Sequence, residues 1–311
     1  MSKQIKLIAA VLLAFSLILS ACGPQQVKTN ADGKLTVTVS VLPQQYFVER
    51  IGGEHVAVNV MVAPGDSPHS YEPKPGQMTA LSESAVYFSI GVDFEKAWLD
   101  KIASANEDML MVDLIANIER IAMESHAHDE DAATHEDGEG EGHDEDMDEN
   151  LDPHVWTSPR LVKVMSQTIY ETLADLDPKH GDEYKANLDD FIAEIETLES
   201  DIFGALEGLQ SRKFFVYHPS WGYFAHDFGL QQVPIELGGT EPSASELAAL
   251  IDEAKAEGAK VIFVQPEFST RSAETIASEI GGSVVLISPL DPDWMNNLRK
   301  VAVAFSSVLR Q

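Results

Sequence analysis

Residues 181–209 read GDEYKANLDDFIAEIETLESDIFGALEGL, the longest helical pattern in the chain. Tyr184, Leu188, Phe191, Ile192, Ile195, Leu198, Ile202, Leu206 and Leu209 recur at steps of mostly three and four. That spacing draws one apolar stripe along a helix of about 28 residues, roughly 40 Å at 1.5 Å per residue. A helix this long exceeds what one small domain requires. It is therefore expected to be a spine joining two lobes, and to limit how far they hinge apart.

The flanking sequence alternates strands and helices, the pattern of parallel sheets covered by helices. Before the spine, strands are expected at Leu35–Val41, Val56–Val62, Ala85–Ile90 and Met109–Val112, with helices at Pro75–Ser84, Phe94–Ser104 and Pro159–Leu176. After it, strands are expected at Lys213–Tyr217, Gln232–Glu236, Ala259–Val264 and Ser283–Ile287. Helices follow at Ser243–Glu257, Thr270–Ile280 and Asp293–Leu309, and Pro219 suits the first turn of a helix running to Phe228. The fold class is thus α/β: two similar lobes, 35–176 and 211–311, with parallel-rich sheets, joined by a linking helix within 177–210.

At the N-terminus, Lys3 and Lys6 precede an apolar run from Leu7 to Leu19, a secretory-signal pattern. The junction Leu19-Ser20-Ala21-Cys22 looks like a bacterial lipoprotein cleavage site, and Cys22 is the sole cysteine. Residues 1–22 read as the signal, Cys22 as the lipidated residue and 23–34 as a flexible spacer. Acyl chains would then hold the protein outside the cytoplasmic membrane, with no cysteine left for a disulfide or a metal. The formal net charge of −30 argues against nucleic-acid binding and suits a protein that meets cations.

Much of that charge lies in Glu124–Trp156, which holds 14 acidic residues, no Lys or Arg, and His126, His128, His135 and His143. So polar a run cannot bury enough apolar surface to offset its ordering entropy, so 124–150 is expected to be a disordered loop. Its histidines suit a weak, exchanging metal trap. Three other histidines share a context. His69 follows a strand, His218 lies between a strand and a helix, and His154 lies two residues past Asp152 and just before a helix. Each follows a proline or precedes one: Pro68, Pro153, Pro219. Ligand sites in α/β sheets gather at the carboxyl ends of strands, so the three are candidate ligands of one ion in the cleft between lobes. Three imidazoles favour Zn²⁺ over the harder Mn²⁺. His55, His180 and His226 lack this context and read as surface or loop residues.

Ser67-Pro68-His69-Ser70-Tyr71-Glu72-Pro73, Asp152-Pro153-His154-Val155-Trp156 and His218-Pro219-Ser220-Trp221-Gly222-Tyr223-Phe224-Ala225 resemble the three metal-ligand motifs of the zinc/manganese substrate-binding lipoproteins of bacterial ABC importers. The resemblance covers nearly all of the mature chain, including motif order, spine helix and a His/acidic loop before the second motif. It implies a non-enzymatic, monomeric receptor that passes metal to a membrane permease. Histidine in the third motif, His218, implies zinc; manganese members usually carry a carboxylate there. Many members add a fourth carboxylate ligand before a Pro-Leu pair, where this chain has Ser288. Water, Asp291 through a loop shift, or a residue of the acidic loop are the open alternatives. Competing functions are a manganese or iron receptor, a metal-dependent adhesin, and a zinc hydrolase. The last lacks a His-Glu-x-x-His pair and has only Glu72 as a nearby base.

Overall fold

The computed structural model describes residues 29–123, 151–236, 242–268 and 270–310. The signal with Cys22, and the acidic stretch with His126, His128, His135 and His143, lie outside the described residues. The expected spacer is structured from Thr29 onward: the Asn30 side chain accepts from the Asp32 and Lys34 amides in a turn that leads into the first strand.

The first lobe runs β1 (Leu35–Val39), α1 (Leu42–Gly52), β2 (Val56–Val60), α2 (Pro75–Ser82), β3 (Val86–Ser89), α3 (Asp93–Ala105) and β4 (Leu110–Asp113). After the acidic stretch come α4 (Pro159–Leu176) and α5 (Gly181–Ala205). The second lobe follows with β5 (Lys213–Val216), α6 (Gly222–Phe228), β6 (Gln231–Pro234), α7 (Ala244–Ala256), β7 (Val261–Val264), α8 (Arg271–Glu279), β8 (Ser283–Leu286) and α9 (Trp294–Leu309). Both sheets are four-stranded and parallel, ordered β2-β1-β3-β4 and β6-β5-β7-β8. The two lobes therefore repeat one winding pattern that no sequence repeat announced. Every residue of β1 is buried, including its threonines. Thr38 is accommodated by a 2.6 Å hydrogen bond with Ser84.

The spine is α5, somewhat shorter than the apolar pattern suggested. Tyr184, Leu188, Phe191, Ile195, Leu198 and Ile202 are its buried face. The helix stops before Gly208, whose φ of +73° a helix cannot continue. Leu206, beyond the last turn, stays buried in the core. α5 packs on α1 and α4 from the first lobe and on α9 from the second. A single apolar core consequently runs through both lobes, from Val37 and Phe47 to Phe263 and Phe305. A separate cluster beneath α7 and α8 covers the outer face of the second sheet.

Tryptophans lock the lobes together. Trp294 Nε1 donates to the Trp156 carbonyl at 2.7 Å, and Trp156 Nε1 donates to the Pro289 carbonyl at 2.8 Å. The Trp294 ring meets Phe47 edge-on, with centroids 5.1 Å apart. Among the described residues no helix is long and apolar enough to cross a membrane.

Helix α6 starts at Gly222, three residues later than Pro219 suggested. The Gln265 side chain donates to the His218 carbonyl and to Ser220 Oγ, and Gln232 Oε1 accepts from the Trp221 amide. These bonds hold residues 218–221 as a turn. Gly222 is required because a Cβ there would lie 2.5 Å from Asp152 Oδ2.

Trp294→Ala is expected to destabilise the protein by roughly 3–5 kcal/mol, the usual cost of truncating a buried aromatic, read by urea unfolding. Glu95 offers a pH test. Its carboxyl is buried, accepts from Ser40 Oγ and from the Ile90 and Gly91 amides, and is pushed up by burial to about 7. The folded state then holds this proton more tightly than the unfolded chain does. Stability should fall as pH rises from about 4.5 to about 7 and level off above that. Glu95→Gln should flatten this slope, measured by urea unfolding at pH 5 and pH 8.

Candidate metal centre

Each candidate histidine is held by a carboxylate at Nδ1. His69, in the turn after β2, donates Nδ1–H to Asp93 Oδ2 at 2.6 Å. Asp93 opens α3, and the bond from His69, aided by Lys96, holds its carboxyl down at about 2. His154 donates both its backbone N–H and Nδ1–H to Asp152 Oδ1, each at 2.8 Å. His218, directly after Tyr217, donates Nδ1–H to Glu236 Oε1 at 2.7 Å. A carboxylate acceptor at Nδ1 fixes the tautomer and leaves Nε2 as a bare lone pair.

The three lone pairs converge. His154 Nε2 and His218 Nε2 lie 3.3 Å apart. With both Nδ1 positions protonated this approach is between two acceptors, so it is not a hydrogen bond. It matches the spacing of two nitrogens around one tetrahedral zinc, about 3.3–3.4 Å for Zn–N bonds of 2.0–2.1 Å. His69 completes the set: its ring centroid is 4.5 Å from that of His218, and the ligand atoms of all three lie within 4.8 Å of one another. Burial, with the two neighbouring imidazoles, holds His218 well below the usual histidine range, so it stays neutral and able to coordinate. The cavity they line is about 10 Å³, room for one small ion or water.

The elements explain the convergence. β5 and β7 are neighbours at the point where the strand order of the second sheet reverses, and His218 and Gln265 follow their carboxyl ends. Gln265 Oε1 accepts from the His218 amide at 3.2 Å, and Phe268 stacks on the His218 ring at 4.6 Å. Asp152-Pro153-His154 is a local turn that carries its own orienting carboxylate. Trp156 packs edge-on against His154 at 5.3 Å.

Other expectations come out differently. Asp291 does not line this cavity; its Oδ1 accepts from the Asp293 amide at 2.8 Å. Glu72 is exposed and outside the cavity, so the hydrolase reading loses its base. His226 is exposed, as expected of a surface residue. His55 and His180 are not independent surface groups: their rings stack at 3.7 Å, with Glu183 and Asp177 bonded to them. Sequence reasoning missed Asp93 and Glu236, which lie 24 and 18 residues from their histidines. Glu267, which also lines the cavity, was missed as well.

Fold and site together define a binding protein: two α/β lobes fixed on a shared helix, with one cation-sized cavity between them. A family model described as ZnuA, the periplasmic component A of a zinc-uptake complex, matches residues 37–307, and the chain belongs to this family. As a member it is a binding component and not an enzyme. It is 29% identical over 291 residues to the high-affinity zinc uptake system protein ZnuA of Bacillus subtilis, covering 90% of this chain and 87% of that protein. It is 26% identical to the zinc-binding protein AdcA of Streptococcus pyogenes over 84% of this chain, and spans about half (51%) of that longer relative. Among solved structures, a crystal structure of ZnuA is 44% identical with a TM-score of 0.79, covering 88% of this chain and 99% of that one. A zinc-bound ZnuA lacking residues 138–173 of its own numbering is 43% identical with the same TM-score, covering 89% and 99%.

Loss of an outer carboxylate should be felt at the metal. Asp152→Asn or Glu236→Gln is expected to weaken metal binding about 10–100-fold, the usual effect of removing such a partner, as measured by chelator competition.

Proposed function

We propose that this protein captures Zn²⁺ outside the cytoplasmic membrane and hands it to the permease of an ABC-type importer. One observation carries the reading: three imidazoles from two lobes, each bonded to a carboxylate through Nδ1, turn their free nitrogens to one ion-sized cavity, and two of those nitrogens stand at zinc spacing. Neutral nitrogen donors favour zinc over the harder manganese. The zinc-uptake relatives and the zinc-bound ZnuA structure support the same choice of cargo. His69, His154 and His218 are the proposed ligands.

The remaining parts of the proposal follow from the sequence. Cys22 carries the lipid anchor, and the receptor works as a monomer at the outer face of the membrane, with no role for nucleic acid. The stretch 124–150, with His126, His128, His135 and His143, is an accessory trap of low affinity that raises local Zn²⁺ near the cleft. Because one core runs through both lobes, uptake and release proceed by local rearrangement around the site and not by wide lobe closure.

Zinc titration of the metal-free protein with a competing chelator tests this. Deleting residues 125–149 should leave one tight site while lowering total stoichiometry. His154→Ala should weaken the tight site by more than the ~10–100-fold that losing an outer partner costs. Tight binding that survives His154→Ala would overturn the assignment.

A further inference from the structure

We propose that Glu267 is the fourth ligand of the site, an oxygen donor that turns from Ser288 onto the captured ion. The proposal rests on the reading of the three-histidine cavity as a Zn²⁺ site. Zinc takes four ligands, and the imidazoles supply three. Among the described residues that line the cavity, Glu267 carries the one carboxylate.

Its placement is built and not incidental. The segment 265–268, after β7, wraps His218. Gln265 bonds to both the amide and the carbonyl of His218, and Phe268 stacks on its ring. Glu267 sits between those two contacts. Its Oε1 accepts from Ser288 Oγ at 3.5 Å, the outer limit of a hydrogen bond, and no Lys or Arg pairs with it among the described residues. A divalent ion in the cavity would supply the cation that this carboxylate lacks.

The imidazole nitrogens form the close group on their own. The carboxylate therefore has to rotate about its side-chain torsions to reach the ion, leaving Ser288 as it does so. Such a turn closes the site without moving either lobe, which the continuous core would resist. Reversal of the same turn, back to Ser288, would open the fourth position for release. Ser288 directly precedes Pro289 and Leu290, which line the cavity, so positions 267 and 288 adjoin the same side of the site from different loops.

The test uses the metal-free full-length protein, Zn²⁺ with a competing chelator, and Co²⁺ as a spectroscopic probe of the ligand set. Glu267→Gln is expected to weaken Zn²⁺ binding about tenfold or more, in the range of a lost metal-site partner, and to change the Co²⁺ visible spectrum. Glu267→Asp should fall between the two. Adding Ser288→Asp to Glu267→Gln should restore affinity and the four-ligand spectrum. Thermal unfolding of the metal-free variants should match the parent, since Ser288 is the one side chain that Glu267 bonds among the described residues. An unchanged Co²⁺ spectrum in Glu267→Gln, with or without weaker binding, overturns the proposal. If the parent meanwhile loses its tight site on His154→Ala, the zinc reading stands without Glu267. A parent with no tight Zn²⁺ site would remove both.

Discussion

The site depends on one packing constraint: both lobes bury apolar surface on the same helix. Leu188, Phe191, Ile195 and Leu198 of α5 face a core shared by α1, α4 and α9. Trp294 reaches from the second lobe to Phe47 and to the Trp156 carbonyl of the first. Moving one lobe would break this core, and close-packed interiors do not deform continuously. The lobes therefore hold His154 and His218 at 3.3 Å with no covalent link between them.

That rigidity gives the imidazoles their chemical value. Two lone pairs pointed at each other repel, and a flexible cleft would relax by opening. Here the Nδ1 bonds to Asp152 and Glu236 and the surrounding packing keep them aimed. The geometric cost of assembling the ligands is met during folding, so an arriving ion meets a site already organised. The orienting carboxylates add negative charge just behind the donors, which makes each imidazole a better ligand.

The two sheets have the same strand order, yet they contribute differently. The first lobe offers His69 from the loop after β2, oriented by Asp93 at the start of α3. The second offers His218 after β5, gripped by Gln265 and Phe268 from the loop after β7. His154 comes from the crossing segment just before α4, and Trp156 beside it bonds to Pro289 of the second lobe. The crossing segment thus ties the lobes together two residues from His154.

The sequence by itself determined the two-lobe α/β plan, because periodicity is local: the three-four stripe of α5 and the short β-rich runs are read from neighbours along the chain. It also singled out His69, His154 and His218, since each sits beside a proline at a strand or helix boundary. Asp152 stood in the same motif, but its bond to His154 Nδ1 is seen only in the structure. Only the tertiary structure decided the rest. Asp93, Glu236 and Glu267 reach the site through strand order and loop packing, which sequence spacing does not encode. Asp291 instead accepts from the Asp293 amide in a local turn, while the packing pairs His55 with His180, because contact between distant residues is set by how the elements stack and not by the residues themselves.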